Sequence, residues 1–366
     1  MQACVVHPAG ELRVEQRSPV RPGPGQVTVA VAYGGICGSD LHYYRHGRVG
    51  DFTVREPMVL GHEVVGHVAA VGPDADGPTD GPTGGQPQGQ AQGQTQGQTA
   101  GPAVGTPVAV HPATPCDRCP DCAAGRRNIC ADARYLGSAA RMPHVQGGFA
   151  QLVTVPAAQI RALPPELGLR RAVLAEPLSV ALHAVHRAGD VSGKRVLVTG
   201  AGPIGCLVTA VLRHKGAAEI VVSDLLDTPL GIAAASGATA TVRADAPGDG
   251  AWTDPFDLAI EASGAPAGLR SCVERVRRGG AVVLLGLLPP GEVPLLGNLA
   301  VTRELELRGA FRFDAEFDEA IALLAQGLPV DAIVTHTFPL AEARAAFDIA
   351  HDRTVASKVL LDLARA

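Results

Sequence analysis

The sequence predicts a two-domain α/β protein, in which a β-rich domain of short strands is followed by a doubly wound parallel sheet. Three observations lead to this prediction. The chain has 366 residues, which is enough for two separate cores. Residues 1–72 alternate short β-prone runs with Gly and Pro turns. From residue 195 onward, strand-like and helix-like runs alternate, which is typical of a parallel sheet.

The β-rich part is predicted from β-prone runs at residues 26–32, 64–71, 107–110 and 148–155. An insert interrupts it between residues 73 and 105, where the chain is almost entirely Gly, Gln, Pro, Thr and Ala and carries the imperfect repeat QGQA-QGQT-QGQT. Such a segment has almost nothing to bury, so we expect a disordered surface loop. A partner-binding role for the insert is the alternative.

The parallel sheet is predicted from strand-like runs at 195–199, 219–223, 258–261 and 281–285, with helix-like runs at 204–215 and 266–277. Before them, residues 170–187 indicate a helix that Pro177 interrupts early. After them we expect helices at 315–326 and 340–351.

A closing strand, Lys358 to Asp362, is expected to return to the first domain. We therefore assign residues 1–160 and 312–366 to the first domain and residues 161–311 to the second. A segment near residues 293–301 is expected to form an edge strand that pairs subunits in a homodimer or homotetramer.

Composition excludes several classes of function. Hydrophobic residues make up 46% of the chain and the formal net charge is only −5, so we expect an ordinary globular protein that does not bind nucleic acid. No apolar run approaches the ~20 residues of a membrane helix. The first residues, MQACVVHPAGELRV, lack the pattern of a secretory leader, and we expect a cytoplasmic protein.

A Gly-rich motif follows the first strand of the predicted parallel sheet. Residues 200–205 read Gly-Ala-Gly-Pro-Ile-Gly, and Pro203 and Ile204 open the next helix. In the pattern G-x-G-x-x-G, Gly200 permits a tight turn, Gly202 lets the backbone approach a pyrophosphate, and Gly205 allows close helix–strand packing. The helix N-terminus favours the phosphates. The motif predicts a dinucleotide site; a Gly-rich turn without cofactor is the alternative.

An acidic residue follows at the end of the next predicted strand. Asp224 stands 24 residues after Gly200, where a carboxylate accepts hydrogen bonds from the adenosine ribose hydroxyls of a dinucleotide. It repels the 2′-phosphate of NADP, and the next residues, Leu225 and Leu226, provide no arginine to pair with that phosphate. NAD is therefore favoured over NADP.

Four of the eight cysteines lie within fifteen residues: Cys116, Cys119, Cys122 and Cys130. This spacing is typical of a closed tetrahedral zinc site, and four thiolates leave no open position, so the expected role is structural. A redox or iron–sulfur site is the alternative. For Cys4, Cys206 and Cys272 we expect buried apolar packing.

Together these features resemble one family. The order is Cys37-Gly-Ser-Asp, then Gly61-His-Glu, then the cysteine cluster, then the Gly-rich motif. It resembles the zinc-containing medium-chain dehydrogenases over nearly the whole chain outside the insert. The resemblance implies a GroES-like catalytic domain, a Rossmann nucleotide-binding domain, two zinc ions per subunit and NAD.

The resemblance also implies roles for individual residues. Cys37 and His62 match ligands of a catalytic zinc ion, and Glu63 is a direct or exchangeable ligand. In Ala175-Glu-Pro-Leu-Ser-Val, Glu176 stands where alcohol dehydrogenases have a second cysteine, which is similar to the polyol (sorbitol-type) branch. There the glutamate holds the zinc directly or through a water. Whether Glu63 or Glu176 contacts the metal is left open. Leu287 is expected to contact the cofactor.

Further residues are expected around the metal. Asp40 is implied to hydrogen-bond His62 and fix its tautomer, with a turn-capping role as the alternative. Ser39 is implied to contact the substrate oxygen and begin a proton path, which His42 extends unless it is a plain surface histidine. Arg312 is implied to face substrate hydroxyls or a carboxylate, with an interface ion pair as the alternative.

The segments CGSDLHYY, GRVGDF, MPHVQGGF and GAFRF narrow the resemblance within the polyol branch. This closer resemblance implies a small polyhydroxylated substrate. The reaction it implies is oxidation of the C5 hydroxyl of L-idonate to 5-keto-D-gluconate. Sorbitol, xylitol and threonine dehydrogenation are the alternatives within enzymes. A zinc- and nucleotide-binding protein without turnover is the alternative outside them.

Overall fold

The computed structural model describes residues 1–75, 102–246 and 255–365. Most of the insert predicted at 73–105 lies outside the described residues. The strands are β1 Gln2–Val6, β2 Leu12–Gln16, β3 Gln26–Gly35, β4 Arg48–Val49, β5 Phe52–Thr53, β6 Met58–Val59, β7 Glu63–Val71, β8 Pro107–Val110, β9 Ala113–Thr114, β10 Arg134–Tyr135, β11 Leu152–Pro156, β12 Ile160–Ala162, β13 Arg195–Thr199, β14 Glu219–Asp224, β15 Ala240–Arg243, β16 Phe256–Glu261, β17 Val276–Leu284, β18 Glu306–Gly309, β19 Val334–Pro339 and β20 Lys358–Asp362.

The helices are α1 Gly38–His46, α2 Pro120–Ala123, α3 Leu169–Ala172, α4 Ala175–Ala188, α5 Pro203–His214, α6 Asp227–Ala235, α7 Pro266–Arg275, α8 Gly297–Arg303, α9 Glu316–Ala325 and α10 Ala343–His351. Within the described ranges, none of them is both long and apolar enough to cross a bilayer.

Two sheets organise the molecule and confirm the predicted α/β class. A seven-stranded sheet has the order β12-β8-β7-β3-β20-β19, with β11 also paired to β3. A six-stranded parallel sheet has the order β15-β14-β13-β16-β17-β18. Strand β20 pairs antiparallel with β3, so the end of the chain does return to the first sheet as predicted.

A buried phenylalanine fixes the backbone next to β7. Phe149 is fully buried, and a Cβ placed on Gly61 would lie 2.1 Å from its ring. Gly61 also has a φ of +94°, which a residue with a side chain rarely adopts. The chain therefore needs glycine here to lie against Phe149, and this contact orients the two residues that follow it.

Two elements differ from the sequence predictions. The helix predicted at 170–187 is interrupted at Val173 and Leu174, ahead of Pro177. Proline is tolerated there because Pro177 lies in the first turn of α4, where its missing N–H has no intrahelical partner. The edge strand expected near 293–301 is also wrong, because residues 297–303 form α8 and the two edge strands of the parallel sheet are β15 and β18.

The turn from β13 to α5 is packed too tightly for any side chain at Gly205. A Cβ there would lie 1.9 Å from the carbonyl oxygen of Gly200, the first glycine of the same motif. Real Cβ atoms do not approach backbone oxygen so closely, so the turn has to open if Gly205 is replaced. Close packing of strand and helix, as predicted from the motif, therefore depends on this glycine.

Gly205→Ala is expected to lower the free energy of unfolding by about 2 kcal/mol or more, because the turn must shift to relieve the overlap. Gly231→Ala is a matched control: Gly231 lies exposed inside α6 with open space at the Cβ position. There alanine should stabilise by about 0.5–1 kcal/mol through helix propensity. Thermal unfolding of both variants measures the difference, and equal midpoints would contradict the packing argument.

Candidate active site

Three side chains meet where β3 ends and β7 begins. Cys37 follows β3 and caps the N-terminus of α1, while His62 directly precedes β7 and Glu63 is the first residue of β7. The two strands pair at Gly35 and Glu63, which brings the segments together. One ligand atom from each of Cys37, His62 and Glu63 lies within 4.8 Å of the others. Thiolate, imidazole and carboxylate at this spacing form a donor set that suits zinc and leaves a fourth position open.

Asp40 ties these two segments together. Its fully buried carboxylate accepts hydrogen bonds from the backbone N–H of Cys37 at 2.9 Å and of Gly61 at 3.2 Å. Its distance to His62 Nδ1 is 3.9 Å, which is too long for the hydrogen bond expected from the sequence. Burial raises the pKa of Asp40, while the charge of His62 and the two backbone donors act against this shift.

The carboxylate of Glu63 shows that the site fits a metal ion. Its Oε1 accepts a 2.6 Å bond from Lys358 Nζ, and that ammonium also donates to the Ile36 carbonyl. Among the described residues no hydrogen-bond partner is found for Glu63 Oε2, although the atom is buried. Burial raises the pKa of the Glu63 carboxyl to about 7, although the Lys358 ammonium opposes the shift. A buried oxygen without a partner, next to a thiol and an imidazole, is the arrangement a cation would complete.

Glu176 lies outside the three-residue cluster and has a different partner. It is buried in the first turn of α4, and its Oε1 accepts a 2.7 Å hydrogen bond from the hydroxyl of Tyr135. The ring of Tyr135 lies edge-on to His62, with centroids 5.6 Å apart, and the guanidinium of Arg312 lies 4.5 Å above the same ring. Tyr135 thus brings Glu176, Arg312 and His62 into one group.

Arg312 has an unusual backbone conformation. Its φ of +54° lies in the left-handed region, which costs about 1 kcal/mol or more for a residue other than glycine. Its guanidinium stacks on Phe311 as well as on Tyr135. Ser39 is half-buried on α1, two residues after Cys37, whereas His42 is exposed on the same helix.

The four clustered cysteines form a second donor set. The sulfur atoms of Cys116, Cys119, Cys122 and Cys130 all lie within 4.8 Å of one another. Backbone N–H groups of Cys116 and Cys122 point at sulfurs of the same cluster, at 3.4 and 3.5 Å. Four thiolates with N–H donors around them suit a structural zinc ion, as the spacing predicts.

The remaining thiols are inert. Cys4, Cys206 and Cys272 are fully buried, as expected. Burial raises the pKa of both Cys206 and Cys272 to about 12, so these thiols stay protonated and pack as small apolar groups.

The Gly-rich motif lies at the carboxyl edge of the parallel sheet. Helix α5 begins at Pro203, directly after Gly202, and open space surrounds the Cβ position of Gly202. This is the arrangement that a pyrophosphate needs to approach the backbone. Leu287 lies exposed in the loop after β17, where its carbonyl oxygen would lie 2.6 Å from a Cβ on Gly264, in the loop after β16.

Asp224 ends β14 at the same edge. One of its carboxylate oxygens accepts the backbone N–H of Ala201, inside the motif, at 2.7 Å. That oxygen also accepts a 2.6 Å hydrogen bond from Arg353, which follows α10. The residues that directly follow Asp224 contain no arginine, so this partner could not be predicted from the local sequence.

Sequence reasoning missed three residues of this region. Lys358 starts β20 and is followed by three apolar residues, and a lone lysine at such a position signals a buried partner. Tyr135 lies five residues after Cys130 and carries no such signal. Arg353 reaches Asp224 from 129 residues further along the chain, so no local pattern could reveal the pair.

Comparison with known proteins agrees with this geometry. The family model for the alcohol dehydrogenase GroES-like domain matches residues 23–165, and the zinc-binding dehydrogenase model matches residues 203–326. The chain is 35% identical over 368 residues to L-idonate 5-dehydrogenase (NAD(P)(+)) of Escherichia coli, which covers 98% of both chains. It is 35% identical over 355 residues to sorbitol dehydrogenase of Gallus gallus, covering 94% of this chain and 92% of that one.

Solved structures give the same result. The crystal structure of L-idonate 5-dehydrogenase from E. coli matches with a TM-score of 0.87 and 34% identity, over 99% of this chain and 98% of that chain. A zinc-binding dehydrogenase of Sinorhizobium meliloti bound to NADP matches with a TM-score of 0.84 and 30% identity, with the same coverage. The chain therefore belongs to the zinc-dependent alcohol and polyol dehydrogenases of the medium-chain family, with a GroES-like domain and a nucleotide-binding domain.

Proposed function

We propose that this protein oxidises the C5 secondary hydroxyl of L-idonate to 5-keto-D-gluconate, reversibly, with NAD as hydride acceptor. The observation that carries this proposal is the cluster of Cys37, His62 and Glu63, which holds three metal donors and leaves a position for a substrate oxygen. The E. coli relative named L-idonate 5-dehydrogenase, which matches nearly the full length of the chain, supports the choice of substrate. We propose two zinc ions per subunit, one at this cluster and one at the four cysteines.

The residues in and around the cluster have different roles in the proposed reaction. Cys37, His62 and Glu63 would hold a zinc ion, which would supply Lewis-acid polarisation of a hydroxyl, and bound NAD would supply the hydride acceptor. Ser39, half-buried beside Cys37, is positioned to take the hydroxyl proton and begin its path towards solvent. Glu176, whose Oε1 accepts the hydroxyl of Tyr135, places a carboxylate beside the cluster, where it can accept a departing proton.

The substrate carboxylate needs a cation, and Arg312 provides one. Its guanidinium lies over Tyr135, on the Glu176 side of the cluster, where it can donate to hydroxyls or to the carboxylate of an aldonate. The proposed cofactor site consists of the three glycines of the motif, Pro203, Ile204, Asp224 and Leu287.

All eight cysteines are free of disulfide bonds, which suits a reducing compartment, and we therefore place the enzyme in the cytoplasm.

Metal content separates the two zinc sites. The unmodified protein should hold two zinc ions per chain, and both Cys37→Ser and Cys122→Ser should hold one. Cys37→Ser should lose turnover at least about 1000-fold but keep its melting temperature within a few degrees, since the fold does not depend on that ion. Cys122→Ser should instead melt earlier by about 5 °C or more, because a structural ion contributes to folding directly.

Metal analysis by plasma emission and scanning calorimetry measure both effects. Retention of full activity by Cys37→Ser would contradict the catalytic metal site, and two bound zinc ions in Cys122→Ser would contradict the structural one. Binding of NAD to Cys37→Ser, measured by calorimetric titration, serves as the control that the nucleotide site is intact.

A substrate panel tests the proposed specificity. With zinc-loaded protein and NAD, L-idonate should give a kcat/KM at least about tenfold above sorbitol, xylitol and L-threonine, because Arg312 can pair with its carboxylate. Arg312→Gln should reduce kcat/KM for L-idonate more than for sorbitol, which lacks the carboxylate. A preference for sorbitol in the unmodified protein would assign the chain to polyols instead, and no NAD reduction with any substrate would favour a non-catalytic role.

We also propose a homodimer or homotetramer joined through one edge of the parallel sheet. Strand β18 is one of its two edges, and exposed apolar side chains lie on it and in the segments that precede and follow it: Leu295, Val301, Leu307 and Phe311. An edge strand with apolar neighbours is suited to pairing with a second copy. Strand β18 thus takes the place of the strand expected at 293–301, and Val301 lies on α8, the helix that precedes β18 in the chain.

Val301→Asp should shift the protein towards monomer, because it places a charge within this apolar surface. Val20→Asp is the control. Val20 is also highly exposed, but it precedes β3, which belongs to the seven-stranded sheet and not to the parallel sheet. Light scattering during size-exclusion chromatography gives the mass of each variant. A monomeric unmodified protein, or an unchanged mass for Val301→Asp, would contradict the proposed interface.

A further inference from the structure

A cation from the far end of the chain occupies the position that the ribose-binding carboxylate faces. Arg353 Nη2 lies 2.6 Å from Asp224 Oδ2. Arg353 belongs to the turn between α10 and β20, which pairs with the first sheet, whereas Asp224 ends β14 of the parallel sheet. The ion pair therefore joins the two sheets at the proposed adenosine site.

The carboxylate of Asp224 is fully engaged. Oδ1 accepts the backbone N–H groups of Leu225 at 2.7 Å and Leu226 at 3.2 Å. Oδ2 accepts the backbone N–H of Ala201 at 2.7 Å and the guanidinium Nη2 of Arg353 at 2.6 Å. Each carboxylate oxygen has two lone pairs, so both oxygens are saturated. A ribose hydroxyl that donates to Oδ2 has to compete with the guanidinium of Arg353.

Arg353 is exposed enough to take a second partner. Its side chain is 49% exposed, whereas that of Asp224 is 3% exposed. The hydrogen bond to Asp224 uses one of the five N–H donors of a guanidinium, and others remain for an incoming anion. The turn that presents Arg353 is held by Asp352, which accepts the backbone N–H of Thr354 at 3.0 Å.

We propose that Arg353 determines cofactor specificity: it neutralises Asp224 and receives the 2′-phosphate of NADP, so the protein binds NADP as well as NAD. This rests on the dinucleotide site of the proposed function. An unpaired Asp224 repels a 2′-phosphate, but an Asp224 paired with arginine does not, and the same guanidinium is able to bind the phosphate. The effect on NAD is opposite in sign, because Arg353 competes with the ribose hydroxyls.

Another arginine nearby is the natural control. Arg243 lies opposite Asp224 in the register of β14 and β15. Its guanidinium is already bound to two carboxylates, Asp227 at 3.2 Å and Asp245 at 2.9 Å. Replacing Arg243 removes a positive charge that Asp227 and Asp245 already neutralise. The replacement should therefore not change the affinity for the 2′-phosphate of NADP.

The experiment compares dissociation constants for NADP⁺ and NAD⁺, measured by calorimetric titration of the zinc-loaded full-length protein. The unmodified protein should bind both. Arg353→Gln should raise the dissociation constant of NADP⁺ at least about tenfold and leave that of NAD⁺ unchanged or lower. The ratio of the NADP⁺ constant to the NAD⁺ constant should therefore rise. Arg353→Lys, which keeps the charge, and Arg243→Gln should hold the ratio within about threefold.

Several results would overturn the proposal. If Arg353→Gln weakens both dinucleotides equally, Arg353 is a structural tie between the sheets. If the affinity for NADP⁺ falls as much in Arg353→Lys, or in Arg243→Gln, as in Arg353→Gln, the charge of Arg353 does not determine the preference between NADP⁺ and NAD⁺. If the unmodified protein binds NAD⁺ but not NADP⁺, only this inference fails, whereas binding of neither would overturn the dinucleotide site itself.

Discussion

The buried carboxylate of Asp40 is the contact on which the metal cluster depends. It bonds to the backbone of Cys37 at one side and of Gly61 at the other, and so fixes two chain segments that carry the metal donors. A carboxylate without solvent is unfavourable in free energy unless donors surround it, so its two N–H partners cannot be exchanged freely. The position of the Cys37 sulfur relative to the His62 ring is thereby set by the backbone before any metal binds.

The second constraint comes from the end of the chain. Lys358, the first residue of β20, places an ammonium against Glu63 inside the first sheet. A buried ion pair is stabilising only when its remaining hydrogen bonds are satisfied, and Lys358 has a second acceptor in the Ile36 carbonyl. Glu63 Oε2, which has no hydrogen-bond partner among the described residues, is left for a cation. The closing strand therefore completes the site as well as the sheet, and Arg353 in the preceding turn reaches the other sheet.

How much could be predicted from the sequence depended on distance along the chain. Local patterns were sufficient for the four-cysteine cluster and for the Gly-rich turn, because both are formed by residues a few positions apart. Alternation of strands and helices was sufficient for the parallel sheet. The prediction of an edge strand near residues 293–301 was wrong because a short apolar run is compatible with a strand and with a short helix such as α8. Tyr135 with Glu176, and Arg353 with Asp224, are separated by 41 and 129 residues and follow from the tertiary fold alone.

The lobe that carries the four cysteines, residues 116–130, also fixes the position of Arg312. Asn128, in this lobe, donates to the carbonyl of Phe311 at 2.9 Å, and the backbone N–H of Arg127 donates to Asp314 at 3.2 Å. These two hydrogen bonds hold the chain on both sides of Arg312, the residue with the strained φ of +54°. Strain of this kind persists only where the surroundings impose it. The lobe therefore holds the guanidinium of Arg312 over Tyr135, so the four-cysteine segment affects the geometry beside His62 although its cysteines lie outside the cluster of Cys37, His62 and Glu63.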